Sequence, residues 1–353
     1  QQMLEAMLAE LDNVRAALIF TVTQANDVQL GAELTCDLVS YWQQVGRNTA
    51  GREWIEQLLA RTDVHFPAHV RAKLLCGRAR LDSARSKRAF DSALLSVQIY
   101  RELRDEAGLA AALFEVAAAS TGIGDLDGAD PYLDESLEIA QRIGDVRRMA
   151  LVLNGKALTE SWRGRSQRAR ELLEESLALF RQLDDDHGVA SALGNLGDLA
   201  ATVGDYDRAV ALSRQSLAIV ERLHDGPSAG WQLMNLGFFE LKRGNADAAR
   251  PALRRALELV REYQDDWLSA NCLDGLSRLA LAEKDWSRAL RLAGFADSVL
   301  DGIGVPRQPP DQRDYEAVIR EAQMAIGDDA ARLHMEGARS MAWTDAVKEA
   351  LQV

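Results

Sequence analysis

The strongest constraint on this chain is a phrase that returns every 40 residues. GDYDRAVALSRQSL, from Gly204 to Leu217, is echoed by GRSQRARELLEESL at Gly164, GDLDGADPYLDESL at Gly124 and GNADAARPALRRAL at Gly244. The register holds column by column. Ala89, Ala129, Ala169, Ala209, Ala249 and Ala289 form one column, and Leu113, Leu153, Leu193, Leu233 and Leu273 a second. Asp105, Asp145, Asp185, Asp225 and Asp265 form a third, and Val116, Leu196, Leu236 and Leu276, broken by Lys156, a fourth. Small residues fill a fifth: Ala117, Ala157, Gly197, Gly237 and Ser277. Self-similarity at this period marks a stacked array of units, none of which can bury its apolar side alone.

Each column has a physical task. The leucine and the small residue four places on share one face of a first helix. The small side chain lets a second helix approach closely. The phrase's glycine ends the first helix in the left-handed conformation that glycine adopts without steric penalty. The alanine marks the crossing of the paired helices. Leu133, Leu137, Leu173, Leu177, Leu253 and Leu257 sit four apart and face the neighbouring unit. The aspartate closes the second helix and opens the link onward. The expected fold is therefore all-α, an α-α superhelix of helix-turn-helix repeats with helical caps at both ends. Ala-, Leu-, Arg- and Glu-rich composition agrees.

Six units cover 68–304, the terminal ones degenerate, with Ala84 and Lys284 at the turn-glycine position. Residues 1–67 read as a helical region with a poorly matching repeat. There Leu4, Leu8, Leu11, Val14 and Leu18 keep helical spacing, and GREWIEQLL (Gly51–Leu59) resembles a second helix. GIGVPRQPP, from Gly302 to Pro310, is the clearest break. A helical cap over 305–353 follows. Tyr315, Val318, Ile319, Ala322 and Ile326 mark one helix, Ala331–Met341 a second, and Thr344 caps a short third. Pro131 and Pro251 fall at one shared place inside the second helix.

The repeat resembles the tetratricopeptide repeat, whose spacing is met by Leu193, Leu196, Gly197, Ala209 and Leu217. Its period is longer than usual, as in the similar repeats of kinesin light chains. The order of segments carries a wider resemblance. ELDNVRAAL (Glu10–Leu18) precedes YWQQVGRNTAGREWIEQLL (Tyr41–Leu59), and long repeats with endings like ESLALFRQLDD (Glu175–Asp185) follow. RLAGFADSVLDGIGVPRQPPDQRDYEAVI (Arg291–Ile319) and EGARSMAWTDAVKEAL (Glu336–Leu351) close the chain. This progression resembles the C-terminal sensor arm of bacterial STAND-type ATPases, including large LuxR-type regulators like the maltose activator. The resemblance implies an upstream nucleotide-binding domain holding ATP or ADP, an output domain, and an arm that senses an inducer and controls self-assembly. No G-x-x-x-x-G-K-[ST] occurs here, so no cofactor is expected in this chain. The opening Gln1 suggests a piece of a longer protein.

Forty-one basic against 54 acidic residues give a net charge of −13. That balance opposes direct nucleic-acid contact, which needs a basic footprint. The cluster Arg163, Arg165, Arg168 and Arg170 reads as a solvated helix face. Cys36, Cys76 and Cys272, odd in number and without motif spacing, point to reduced thiols and a cytoplasmic setting. No apolar run approaches the length of a membrane span. His65 and His69 are separated by Pro67, which opposes a metal pair. Asp125-Leu126-Asp127-Gly128 lacks the rest of a calcium loop. Gly122-Ile123-Gly124 is the repeat turn, and Asp184–Asp186 an interhelix turn. No enzyme is expected.

In tetratricopeptide superhelices the first helices line the inner groove. Positions two before, one after and five after the leucine column share that face. The groove candidates are Phe114, Leu151, Asn154, Leu158, Trp231, Met234, Phe238, Asn271, Asp274 and Arg278, together with Trp162 one turn past Leu158, and Asn195, Asp198 and Asn235 lie close by. The surface suits a peptide, a partner protein or a small-molecule inducer, and its acids favour a cationic or neutral one. Lys242 lies near. The functional expectation is a non-enzymatic ligand- or protein-binding sensor and oligomerisation arm of a multidomain bacterial regulator. The alternative is a stand-alone adaptor that binds a peptide or partner protein in the groove.

Overall fold

The computed structural model describes residues 12–24, 27–82, 86–263, 266–304, 307 and 309–351. Leu4, Leu8, Leu11, Ala84, Asp265, Val305, Pro306 and Gln308 lie outside them. Among the described residues there are helices and no strand. The helices are α1 (12–19), which runs on as a π-helical turn over Phe20–Gln24, α2 (Val28–Asp37), α3 (Val39–Gln44) and α4 (Asn48–Leu59). The repeats begin with α5 (Ala68–Leu81) and α6 (Lys87–Leu103). They continue through α7 (Glu106–Gly122), α8 (Leu126–Ile143), α9 (Val146–Trp162) and α10 (Ser166–Gln182). Next come α11 (Asp186–Thr202), α12 (Tyr206–Arg222), α13 (Gly226–Lys242), α14 (Ala246–Tyr263), α15 (Asp266–Ala282) and α16 (Trp286–Ile303). The last three are α17 (Pro309–Ile326), α18 (Asp328–Arg339) and α19 (Trp343–Leu351). The chain divides into two compact units, Gln1–Leu179 and Phe180–Val353.

The columns do what their residue types predict. All six alanines are at most 1% exposed, and the five leucines at most 7%. A Cβ on Gly237 would sit 2.5 Å from Leu253, and one on Gly197 3.3 Å from the carbonyl of Ala209. The small column therefore sets how closely each second helix approaches. Gly124, Gly164, Gly204 and Gly244 end the first helices at φ between +76° and +86°. Lys284, their counterpart in the last unit, is held at φ +63°, a conformation costly for a residue with a Cβ.

The aspartates have two roles, one of them unforeseen. The backbone N–H groups of Asp145, Asp185 and Asp225 return to Ala140, Phe180 and Val220 at 2.9–3.0 Å, closing the second helices as expected. Their carboxylates also cap the next first helix, accepting from the N–H of Arg148, Gly188 and Ser228 at 2.9–3.0 Å. Just before these caps the chain passes through left-handed Gly144, Asp184 and His224, and Arg104 does the same before Asp105. A further column escaped the sequence reading. The hydroxyls of Ser96, Ser136, Ser176 and Ser216 donate to the carbonyls of Ala72, Ala110, Ala150 and Ala190 at 2.7–2.9 Å. Each bond fixes a second helix along its partner.

In the first unit, Leu18, Trp42, Ile55, Leu58 and Leu74 form the core at the N-terminal end. In the second, Leu253, Leu257, Leu273 and Leu276 build a core joined by Ala338, Ala346, Val347 and Ala350 of α18 and α19. Trp343 packs on Phe295 with ring centroids 5.7 Å apart. Thr344 does not cap α19, which already starts at Trp343. Its N–H-accepting terminus is the Ala342 carbonyl, which takes both Asp345 and Ala346.

Candidate binding face

Within each unit, first helices touch successive first helices: α5, α7 and α9 in one, α11, α13 and α15 in the other. The residues singled out from the leucine register lie along these two rows.

On the row of the first unit, Leu158 and Trp162 are open, at 37% and 45% exposure. Phe114, Leu151 and Asn154 are half-buried. The Arg148 guanidinium lies 5.7 Å from the Phe114 ring centroid. Next to Phe114, the sequence reading missed Glu115. Burial pushes its carboxyl up to about 7, against the opposing pull of Arg80 and Arg148. Arg80 approaches it to 3.6 Å.

The second unit departs further from expectation. Trp231 is 37% exposed and stacks on Trp267, with ring centroids 5.1 Å apart and planes at 17°. Trp267 escaped the register rule because it lies about one turn before Asn271, the first position that rule reaches on α15. Met234, Asn235, Asn271 and Asp274 are buried rather than open. Met234 joins the core of α14 and α15. The Asn235 amide donates to Asp198 Oδ1 at 2.8 Å, and Asp198 is half-buried, with its carboxyl pushed up to about 7 by burial. Asn195, three residues before it, is half-buried too. The Asn271 amide turns back to the Trp267 carbonyl at 2.8 Å.

The end of this row is covered by the chain itself. Arg307, from the proline-rich link, forks onto Asp274 at 2.8 and 3.1 Å. It donates to Asp297 at 2.6 Å and lies 3.8 Å over the Tyr315 ring. Arg307 and Asp274 side chains are only 5% and 4% exposed. The Arg278 guanidinium stands 4.8 Å from the Phe238 ring centroid and pairs with Asp314 of α17 at 3.0 Å. Lys242 meets the same Asp314 at 2.8 Å. Asp274, Arg278 and Lys242 are thus engaged by the C-terminal segment, and of the predicted residues on this row Trp231 is the exposed one.

Two clefts lie away from the predicted positions. One of about 780 Å³ is lined by Arg15, Leu18, Trp42, Arg47 and Trp54 in the first unit. Another of about 410 Å³ is lined by Asp297, Asp328, Asp329, Arg332 and Arg339 in the second. Among the described residues no group of three His, Cys, Asp or Glu is placed to hold a metal ion. No described helix is long and apolar enough to cross a membrane. All three cysteines are free thiols, and burial pushes Cys36 and Cys76 up to about 12.

Comparison with known proteins agrees with this architecture. No curated protein sequence matches the chain. Among solved structures, a Rap protein complexed with Competence and Sporulation Factor is similar over 98% of this chain and 99% of its own, at 15% identity and TM-score 0.61. NprR in complex with its cognate peptide NprX is similar over 94% and 97%, at 15% identity and TM-score 0.60. A STAND protein with a tetratricopeptide repeat sensor from Pyrococcus horikoshii is similar over 96% of this chain, at 16% identity and TM-score 0.60. This chain spans 52% of that protein's length. At such identities the likeness concerns the fold. The family model of the tetratricopeptide repeat matches residues 148–222 and 230–294, stretches that carry the alanine, leucine and glycine columns, and over these residues the chain is built of tetratricopeptide repeats.

Proposed function

We propose that this chain is the non-enzymatic sensor arm of a larger bacterial regulator, binding a peptide on the inner row of its second unit. The observation that carries the reading is the exposed Trp231 indole, stacked on half-buried Trp267 and one turn along α13 from Asn235, which holds Asp198. An aromatic ring left in water near a half-buried carboxylate suits an extended peptide, whose backbone needs hydrogen-bond partners and whose side chains need apolar contact. Two similar folds were solved with Competence and Sporulation Factor and with the peptide NprX, and a third belongs to a signal-transduction ATPase with a repeat sensor. The segment order noted above supports the same placement, with nucleotide chemistry residing in another domain, the working site inside a reducing cytoplasm, and self-association as the output. An adaptor that binds a peptide or partner protein in the same groove is the second reading, favoured by the likeness in fold to the Rap protein solved with its factor.

The test is selection of dodecapeptides from a random phage-displayed library on the wild-type chain, followed by binding to Trp231→Ala. Selected peptides should lose affinity for the variant while its thermal unfolding stays close to wild type. Equal binding to both proteins refutes this face as the site.

A further inference from the structure

Two carboxylates that the leucine register places on this row, Asp198 and Asp274, are served differently. Asp274 is forked by the Arg307 guanidinium, whose flat face rests on Tyr315. Asp198 accepts the Asn235 amide, and among the described residues no guanidinium, ammonium or imidazole pairs with it. A carboxylate drawn away from water is normally matched by a cation. Asp198 lacks one, yet is not sealed in, being half-buried. Asn235 also fixes its surroundings. It lies one helical turn from Trp231 on α13, so the half-buried carboxylate it holds is set on the same side of that helix as the exposed Trp231 indole.

We infer that Asp198, with the Trp231–Trp267 stack beside it, seats an arginine side chain of the bound peptide, the place that Arg307 fills for Asp274 within the chain. The inference rests on the reading of this row as a peptide site and names the side chain it selects. Arginine fits because its guanidinium presents N–H donors along the edge and a weakly hydrated flat face that stacks on aromatic rings. Asn235 occupies Oδ1 of Asp198 on one side, and a carboxylate has about four acceptor directions, so Oδ2 and the outer side of Oδ1 remain for the ligand. An acidic or phosphorylated side chain has no cation to meet at this position and is rejected.

The test extends the dodecapeptide selection to Asp198→Asn, a near-isosteric change checked for intact folding by thermal unfolding. Wild-type selections should share an arginine at one place. Replacing that arginine by neutral citrulline in the synthetic peptide should weaken binding to the wild type about tenfold or more. The same replacement should leave binding to Asp198→Asn nearly unchanged. Peptides that need Trp231 but show no arginine preference overturn the cation seat and leave the peptide face standing. An equal citrulline penalty on both proteins does the same. A wild-type selection that yields no peptide dependent on Trp231 overturns the face, and the seat with it.

Discussion

Replacing Arg307 by alanine should be the most damaging single change outside the apolar core. The side chain is 5% exposed, makes two bonds to Asp274 and one to Asp297, and covers the Tyr315 ring. Its removal leaves the Asp274 carboxylate, itself 4% exposed, without its cation. Breaking a buried pair from one side costs about 3–5 kcal/mol, because the surviving charge stays desolvated. At roughly 2–4 °C per kcal/mol for a unit of this size, the melting temperature falls by about 6–20 °C. Two further features separate this from generic loss of packing. Asp274→Asn in the Arg307→Ala background should restore part of the loss, since no charge is then stranded. The two changes should therefore couple by about 1–3 kcal/mol in a double-mutant cycle. The deficit should also shrink in acid. Burial already holds the Asp274 carboxyl above its usual range, with Arg307 pulling it back. Without Arg307 the folded form binds that proton more tightly than the unfolded chain does, so it gains stability as pH falls. Arg332→Ala is the control, its pair with Asp329 being exposed on both sides and worth about 0–1 kcal/mol. If denaturant unfolding shows Arg307→Ala no worse than Arg332→Ala, or a deficit that is additive and independent of pH, the buried clasp does not hold the C-terminal segment.

Three other outcomes follow from the same physics. Lys284→Gly should stabilise the protein by about 1 kcal/mol by releasing a left-handed lysine, whereas Gly204→Ala, at φ +82°, should destabilise it by a similar amount; both are read by chemical denaturation. Leu193→Ala, at a position 4% exposed, should cost about 2–5 kcal/mol, and Trp231→Ala nearer 1 kcal/mol for its ring stack; a Trp231 variant that unfolds as badly as the leucine variant would make that indole core. Asp198 and Glu115 both titrate near 7 when folded but near 4 when unfolded, so each lends stability at low pH that is lost as pH rises through 7. Asp198→Asn should flatten its share of that slope in a series of unfolding midpoints between pH 4 and 8.

The repeat itself was legible because stacking makes the same demand on every unit. An alanine at a helix crossing or a glycine at a left-handed turn has few substitutes, and Ala129, Ala169, Ala209 and Gly124, Gly164, Gly204 therefore recur in phase. Serine was harder to see. Ser136 and Ser176 lie on second helices, where small residues alone already explain the spacing, and only the carbonyls of Ala110 and Ala150 reveal the hydroxyl's use. The burial pattern of the candidate face was half legible. Register arithmetic reached Trp231 and Asp198, but it assigns every unit the same exposure. It could not foresee that Met234 turns into the core, or that Arg307, tied to no period, closes over Asp274. Trp267 was missed for the same reason, since its role depends on a neighbour in the preceding unit.

The joints between units carry a consequence of their own. Arg104, Asp184 and His224 are non-glycine residues that adopt positive φ just before an aspartate cap, and each gives up about 1–2 kcal/mol to do so. That strain sits at hinges, apart from both the packed seams and the indole stack. Glycine at any one of them would relax a single joint while leaving its neighbours as they are. The chain thus holds a small reserve of stability at separate joints, each of which can be drawn on by a single substitution that leaves the packed seams and the Trp231 face untouched.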